Sequence, residues 1–494
     1  LHKAIRRQRQ MCIRDRRKRM EISEQLARQL LESIENGFIN ETTIAKFRYW
    51  HLDAVMNMTK YMEHGRETFW EIKSYLEQMN IERLRKQEKI IVGFITSSSQ
   101  DWIGDELYWL LEKSEKFEPY IFVMATYLNG MGNPLKRDYC ETVSFFQKRG
   151  LRVKQTFDVE TEHLYTWDEI GMKPQLCIWL TPWADGFKEH FHLLYYSLDT
   201  IHAYIPYGFM IAGSEDGRFI EAQYNQLIHN IAWKIFEENK IAVELAGRYS
   251  FVGNRNTVYL GYPKMDSFYG ERENCTIWDE LKEKIGNPNA KCVIYAPHHT
   301  LDKDKEPVCF STFAQNGKKM LDFARKYQKD IVWVFKPHPT LRTKAVLAGI
   351  FKDDSEWEDY IKQWEDLENA AYVNDGMYQD LMCKSDAMIL DSISFLAEYM
   401  YTSHPMLFLK RKEQRFNEFG KLVVEQLYQA EGNNFAAIDE FLQKVVLNEN
   451  DEQFEKRKKF FLENLDYKNM NYKNANAAQS IYCEIENTFG KKEK

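Results

Sequence analysis

Ser385-Asp386-Ala387-Met388-Ile389-Leu390-Asp391-Ser392-Ile393-Ser394-Phe395-Leu396-Ala397-Glu398-Tyr399, with His404-Pro405-Met406-Leu407-Phe408-Leu409 close behind, decides the fold class of this chain. Ala387 to Leu390 is a short apolar run, suited to a strand buried on both faces. Asp391 and Ser392 carry short polar side chains that can accept from free N–H groups, so they are expected to cap a helix over Phe395 to Tyr401. Pro405 ends the helical pattern, and Met406 to Leu409 is a second apolar strand. Strand, turn, helix and strand in that order form a unit of parallel sheet. The turn also gathers free backbone N–H groups with the hydroxyls of Ser392 and Ser394 at a helix start, where a phosphate is favoured. With no ligand, the same residues describe an ordinary capped helix.

Working outward, Cys292 to Ala296 and Ile331 to Phe335 are two more apolar strands ahead of this unit. Earlier still, Lys89 to Thr96, Pro119 to Met124, Leu151 to Val153, Gln175 to Leu180 and Ile201 to Pro206 alternate with amphipathic stretches, including helices expected over Asp101 to about Lys116 and Asp138 to Arg149. Strands alternating with helices of this length predict an α/β protein with two doubly wound, Rossmann-like domains facing a cleft. Val258 to Asp266 holds a strand and a Gly/Pro turn, a natural crossing between them. The expected division is 89–264 for the first domain and 265–412 for the second. A helical N-terminal extension is expected over 17–88 and C-terminal helices over 413–494. Met11-Cys12-Ile13-Arg14-Asp15-Arg16 reads as sequencing-adaptor translation, so 1–16 is expected to be an artefact.

Composition narrows the function. Hydrophobic residues are 44% and charged residues 29% of the chain, an ordinary globular balance. A net charge of −7 with scattered basic residues gives no sign of a nucleic-acid partner. The eight cysteines form no C-x-x-C pair, which suits reduced thiols in a cytoplasmic protein. No apolar run approaches the ~20 residues that span a bilayer. Contact with a membrane would then be peripheral, through the N-terminal helices.

Three strand ends of the second domain carry polar residues: Pro297-His298-His299-Thr300, Lys336-Pro337-His338-Pro339 and Asp391 to Ser394. In a doubly wound sheet these loops leave on one side. Prolines on both sides of His338 stiffen its loop. Lys336 offers a point charge and His338 a hydrogen bond or a proton to an anionic ligand. His298-His299 reads poorly as a metal pair, because adjacent residues rarely bind one ion and no further ligand spacing completes a site. Asp302-Lys303-Asp304 reads as solvated charge in a loop. Glu398 lies one turn beyond Ser394, placed either to accept from a ribose or to face solvent.

Taken together, Gly261-Tyr262-Pro263-Lys264 with Asp266, Tyr295-Ala296-Pro297, Lys336-Pro337-His338-Pro339, and Asp386 with Asp391-Ser392, Ser394 and Glu398-Tyr399 resemble the CDP-glycerol glycerophosphotransferase family, the teichoic-acid polymerase and primase group. The resemblance covers about Lys89 to Phe408. It implies a GT-B-like fold and transfer of an alditol phosphate from a CDP-activated donor to a polyol-phosphate or glycan acceptor, in cell-wall or surface polymer synthesis, with release of CMP. Read as such a transferase, the chain is expected to use His338 in catalysis with His298 or His299 as base, and Lys336, Asp391, Ser392, Ser394 and Glu398 as nucleotide or pyrophosphate contacts. No cofactor is indicated; magnesium suits the chemistry, but no residue pattern calls for it. The expected place is the cytoplasm, at the inner face of the cell membrane. Two departures stand out. The family's Trp-His-Gly corresponds to Tyr204-Ile205-Pro206-Tyr207-Gly208-Phe209, which has no histidine, and its Thr-Trp-Arg to His298-His299-Thr300. A GT-B glycosyltransferase using a nucleotide sugar, or a non-catalytic nucleotide- or glycan-binding protein, remains the alternative.

Overall fold

The computed structural model describes residues 65–125, 136–183, 200–270, 275–374 except 303 and 305, 378–470 and 475–490, with the single positions 56, 187, 191 and 193. The segment 1–16, and all of the N-terminal extension before the helix Gly65–Lys86 apart from Met56, lie outside the described residues. Among the described residues, no helix is long and apolar enough to cross a membrane.

The first sheet is built from β1 (Ile90–Thr96), β2 (Phe117–Val123), β3 (Val153–Gln155), β6 (Leu176–Trp179), β7 (Ile201–Tyr204), β8 (Lys234–Phe236) and β9 (Thr257–Val258). A separate antiparallel pair, β4 (Phe157–Asp158) and β5 (His163–Leu164), lies between β3 and β6 in the chain. The sheet order is β3-β2-β1-β6-β7-β8-β9, and every pairing is parallel. The second sheet holds β10 (Lys291–Ala296), β11 (Ile331–Phe335), β12 (Ala370–Tyr372), β13 (Ala387–Leu390), β14 (Met406–Lys410) and β15 (Tyr428–Glu431). Its order is β12-β11-β10-β13-β14-β15, again wholly parallel. Both orders reverse beside the first strand, so each sheet has a switch point: between β1 and β6, and between β10 and β13.

The apolar runs explain these strands. All residues of β11 and of β13 are buried, as strands covered by helices on both faces require. The helix Phe313–Lys326 buries Phe313, Asn316, Gly317, Met320, Leu321 and Ala324, one face at helical spacing. Register then sets the site. Tyr295 of β10 pairs with Phe335 of β11 and with Ile389 of β13, so the three chains leave their strands at nearly the same level.

The two domains share one apolar core, which runs from Phe94 and Ile178 of the first sheet to Met388 and Phe408 of the second. A short antiparallel bridge between Ala212 and Phe416 ties them at one side, with Gly213 N–H donating to Arg415 O at 2.8 Å and Asn417 N–H to Ile211 O at 3.0 Å.

Several expected boundaries move. The helix expected over 101–116 is a 3-10 turn at Ser99–Asp101 and a helix at Glu106–Lys113, because Gly104 between them takes φ +98°. The helix expected over Phe395 to Tyr401 is only Phe395–Glu398, then a 3-10 turn. β8, β12 and β15 were not expected; they are short, and β15 alternates polar and apolar residues at a sheet edge. The second domain therefore does not end at 412, since β15 belongs to its sheet. The residues after it are not one helical appendage either. Phe435–Leu447 covers the second sheet through Ile438 and Leu442, whereas the helix Ala477–Phe489 returns to the first domain. There Phe489 packs edge-on against Trp233 at 5.0 Å, and Glu484 meets Lys234 at 2.9 Å.

Candidate functional site

The Gly261–Asp266 crossing is an anchor for that return. Gly261 has φ +97°, and a Cβ there would lie 2.6 Å from the Tyr467 ring. Asp266 accepts the Ala477 and Ala478 amides at 2.8 Å, capping the last helix, and also the Tyr467 hydroxyl. Lys264 reaches the other way. Its Nζ donates to Gln100 O at 2.9 Å and Tyr207 O at 2.8 Å, in the loops after β1 and β7. Burial pushes the Lys264 ammonium down from its usual range, while Glu398 and Asp101 support its charge. Asp101 itself is pushed up to about 6 by burial, against the pull of Lys264 and its hydrogen bonds.

In the second domain the loops after β10 and β11 bring three imidazoles together. Ring centroids are 4.2 Å apart for His298 and His299, 4.0 Å for His299 and His338, and 5.3 Å for His298 and His338. Backbone contacts hold the loops: His338 N–H donates to Pro297 O at 3.0 Å. The Thr300 amide donates to His298 Nδ1 at 3.3 Å, and the Thr340 amide to His338 Nδ1 at 3.2 Å. The same Nδ1 atoms lie 2.8 Å from Thr300 Oγ1 and 2.9 Å from Thr340 Oγ1, so each ring is held by an amide and a hydroxyl of the residue two positions on. Burial, reinforced by neighbouring positive charge, pushes His298 and His338 well below the ordinary histidine range, and His299 to about 4. All three are neutral at pH 7.

Ring nitrogens of the three lie within 4.8 Å of one another, the spacing of a metal cluster. A metal-bound histidine donates from its free nitrogen to an acceptor, and the Thr300 and Thr340 hydroxyls stand beside Nδ1 of His298 and His338. The same imidazoles, beside Lys336, also suit an anion.

The third loop does something other than expected. Asp391 does not cap the helix that follows it. Its Oδ1 accepts the His298 amide at 2.5 Å, and its Oδ2 accepts the Thr312 amide and the Thr312 hydroxyl, the latter at 2.6 Å. It is a buried brace across the switch point, and burial pushes it up to about 6 against those hydrogen bonds. Ser392 Oγ donates to Ala296 O at 3.0 Å and ties the same two strands. Ser394 starts the helix with no side-chain cap bond. A helix of four residues has a weak dipole, so imidazole N–H groups and Lys336 carry more of an anion site than the helix start does.

Glu398 is no surface carboxylate: it is 0% exposed. The Tyr378 hydroxyl donates to its Oε2, while its Oε1 has no partner among the described residues. Lys336 and Lys264 lie over the Tyr378 ring at 5.5 Å and 5.6 Å. Across the cleft, a Cβ on Gly208 would come 3.2 Å from Ser394 Cβ, so the Tyr204–Phe209 stretch faces the Asp391–Ser394 turn. His202 supplies no histidine there; its Nδ1 accepts the Trp179 indole N–H at 3.0 Å within the first domain. Asp304 N–H donates to Asp302 Oδ1 at 3.0 Å, a local turn away from the imidazoles. Lys264 and Tyr378 were not foreseen as site residues. Lys264 could have been found from its place in the Gly-Tyr-Pro-Lys motif; Tyr378 belongs to no motif and gave no signal.

The likeness to solved structures agrees with this fold. A Listeria monocytogenes protein described as a UDP-N-acetylglucosamine 2-epimerase aligns with TM-score 0.50 and 14% identity, over 82% of this chain and 97% of that one. A variant of the wall teichoic acid polymerase TagF aligns with TM-score 0.49 and 13% identity, over 84% and 92%. A Neisseria meningitidis UDP-GlcNAc 2-epimerase bound to UDP-GlcNAc aligns with TM-score 0.46 and 12% identity, over 81% and 99%. No curated protein matches the sequence. The model of one sequence family does match, over residues 236–487, just over half the chain and all of the second domain with its histidine loops, and the chain belongs to that family: the CDP-glycerol:poly(glycerophosphate) glycerophosphotransferases.

Proposed function

We propose that this transferase moves an alditol phosphate from a CDP-activated donor to a hydroxyl of a polyol-phosphate acceptor in cell-wall polymer synthesis. The observation that carries the reading is the cluster of His298, His299 and His338 beside Lys336, at the switch point of the second sheet. The donor diphosphate meets these groups, and Glu398 accepts from its ribose once Tyr378 moves aside. The acceptor oxygen bonds to the alditol-bearing phosphorus, and the bond from that phosphorus to the bridging oxygen breaks. CMP leaves with the electron pair. His299, whose Nδ1 has no partner among the described residues, takes the hydroxyl proton. His298 and His338 stabilise charge on the transferring group. The reading includes no resident metal, so EDTA should leave turnover intact. A CDP-activated donor and a growing surface polymer support a place in the cytoplasm, at the inner face of the membrane.

Purified protein with CDP-glycerol and a glycerol-phosphate primer should release CMP. Release of a nucleoside diphosphate from nucleotide sugars would assign a glycosyltransferase instead, and binding without release would assign a non-catalytic role.

A further inference from the structure

An open groove of about 330 Å³ lies over the ends of β14 and β15, beyond the histidine loop. Phe408 and Phe416 line its apolar part, with ring centroids 5.6 Å apart. Three consecutive cations, Lys410, Arg411 and Lys412, line it as well, with Gln429. Arg411 is held in place: its guanidinium donates to Ser311 O at 2.6 Å and Leu301 O at 3.3 Å, both in the segment after the histidines. Glu431, which lines the groove, lies 3.4 Å from Lys410, and Glu413 accepts from Arg411 Nε at 3.0 Å; three cations against these two carboxylates leave the groove net positive on a chain of net charge −7.

One buried ring separates the groove from the histidine cluster. The Phe310 ring packs against His298 at 6.1 Å and against Phe416 at 5.2 Å. Phe416 is also the residue that bridges to Ala212 of the first domain. The cations therefore lie on the same side of the second sheet as the histidine cluster, one packed ring away.

We propose that this groove binds the phosphate-bearing acceptor chain behind its reacting end, an inference that rests on the transferase reading above. The acceptor in the family's description is poly(glycerophosphate), which carries one negative charge per unit along a carbon backbone. Lys410 and Lys412 pair with phosphates of the chain, Arg411 adds its charge, and the half-buried Phe416 takes glycerol carbons. Exposed pairs are individually weak and screened by salt, so the groove adds affinity for long acceptors and leaves the chemistry alone.

The test is Lys410→Glu combined with Lys412→Glu, with Lys412→Glu alone as a milder variant and a thermal melt for each. Losing two weak pairs and adding repulsion should raise KM for a long poly(glycerol phosphate) acceptor by about tenfold, with kcat unchanged. KM for a primer carrying a single glycerol phosphate should not move. Calorimetric titration with poly(glycerol phosphate) alone, without CDP-glycerol, should show the same loss and a weaker salt dependence. Equal effects on short and long acceptors, unchanged polymer affinity, or equally tight wild-type binding of single-stranded DNA would overturn the groove's assignment. If the wild type released no CMP with any acceptor, the transferase reading would fail, and the titration would still report on the groove.

Discussion

Asp391 Oδ1 accepts the backbone N–H of His298 at 2.5 Å, joining the ends of β13 and β10 where the order of the second sheet reverses. Its other oxygen holds Thr312, at the start of the helix Phe313–Lys326. One buried carboxylate thus sets the height of the histidine loop. Asp391→Asn keeps the shape but turns an NH2 group toward at least one of these donors. Each donor left unsatisfied costs about 1–3 kcal/mol. Urea unfolding should show that loss, and CDP binding should weaken with it; an unchanged midpoint would mean that the loop is held by other contacts.

His338→Ala removes an imidazole donor from the proposed diphosphate site. Loss of one such donor typically costs about 10²–10³ in rate. Among the described residues the ring's polar and ring contacts are to Thr340 and its two histidine neighbours, so the melting temperature should change little. Wild-type turnover by the folded variant would make His338 structural.

Ser392 and Ser394 should separate. Ser392→Ala loses a buried bond to Ala296 O and should cost about 1 kcal/mol of stability. Ser394 makes no cap bond, so Ser394→Ala should leave stability alone and weaken CDP binding. Calorimetric titration beside a thermal melt reads both, and equal CDP affinity in Ser394→Ala would take that hydroxyl out of the site.

Acid should act on the cluster in a known direction. Burial lowers the His299 imidazole to about 4, against about 6.5 in an unfolded chain. The unfolded state therefore takes up a proton first. The contribution of His299 to stability is present above about pH 6.5 and is lost as pH falls toward 4. A bound diphosphate favours the imidazolium, so saturating CDP should raise the His299 midpoint in an NMR titration. A midpoint near 6.5 in the free protein would show that the ring is not enclosed as described.

Gly261→Ala tests the crossing. The backbone is in the left-handed region, and the new methyl would meet Tyr467 and Ala477 at 2.6 Å and 2.8 Å. Strain and overpacking together should cost about 2–4 kcal/mol. Limited proteolysis should cut first around the helix Ala477–Phe489, whose first turn packs there; resistance equal to wild type would remove this role from Gly261.

The sequence alone determined the architecture. Ala387 to Leu390, Ile331 to Phe335 and Lys89 to Thr96 are apolar runs with turn residues on both sides, and a chain cannot leave such runs in water. Their alternation with helices forces parallel pairing, and the loops bearing His298, Lys336, His338 and Asp391 follow on one side. Local periodicity carries that much because burial acts residue by residue. It could not supply β15 or the return of the last helix to the first domain, since a polar edge strand and a docking surface are defined only by their partners. Nor could it say what each polar side chain does. Asp391 looked like a cap and is a brace for His298; Glu398 looked exposed or ribose-facing and is fully buried against Tyr378; Lys264 looked like part of a turn and staples two loops of the first sheet. Hydrogen bonds between residues far apart in the chain decide those roles, and only tertiary structure brings their donors and acceptors within reach.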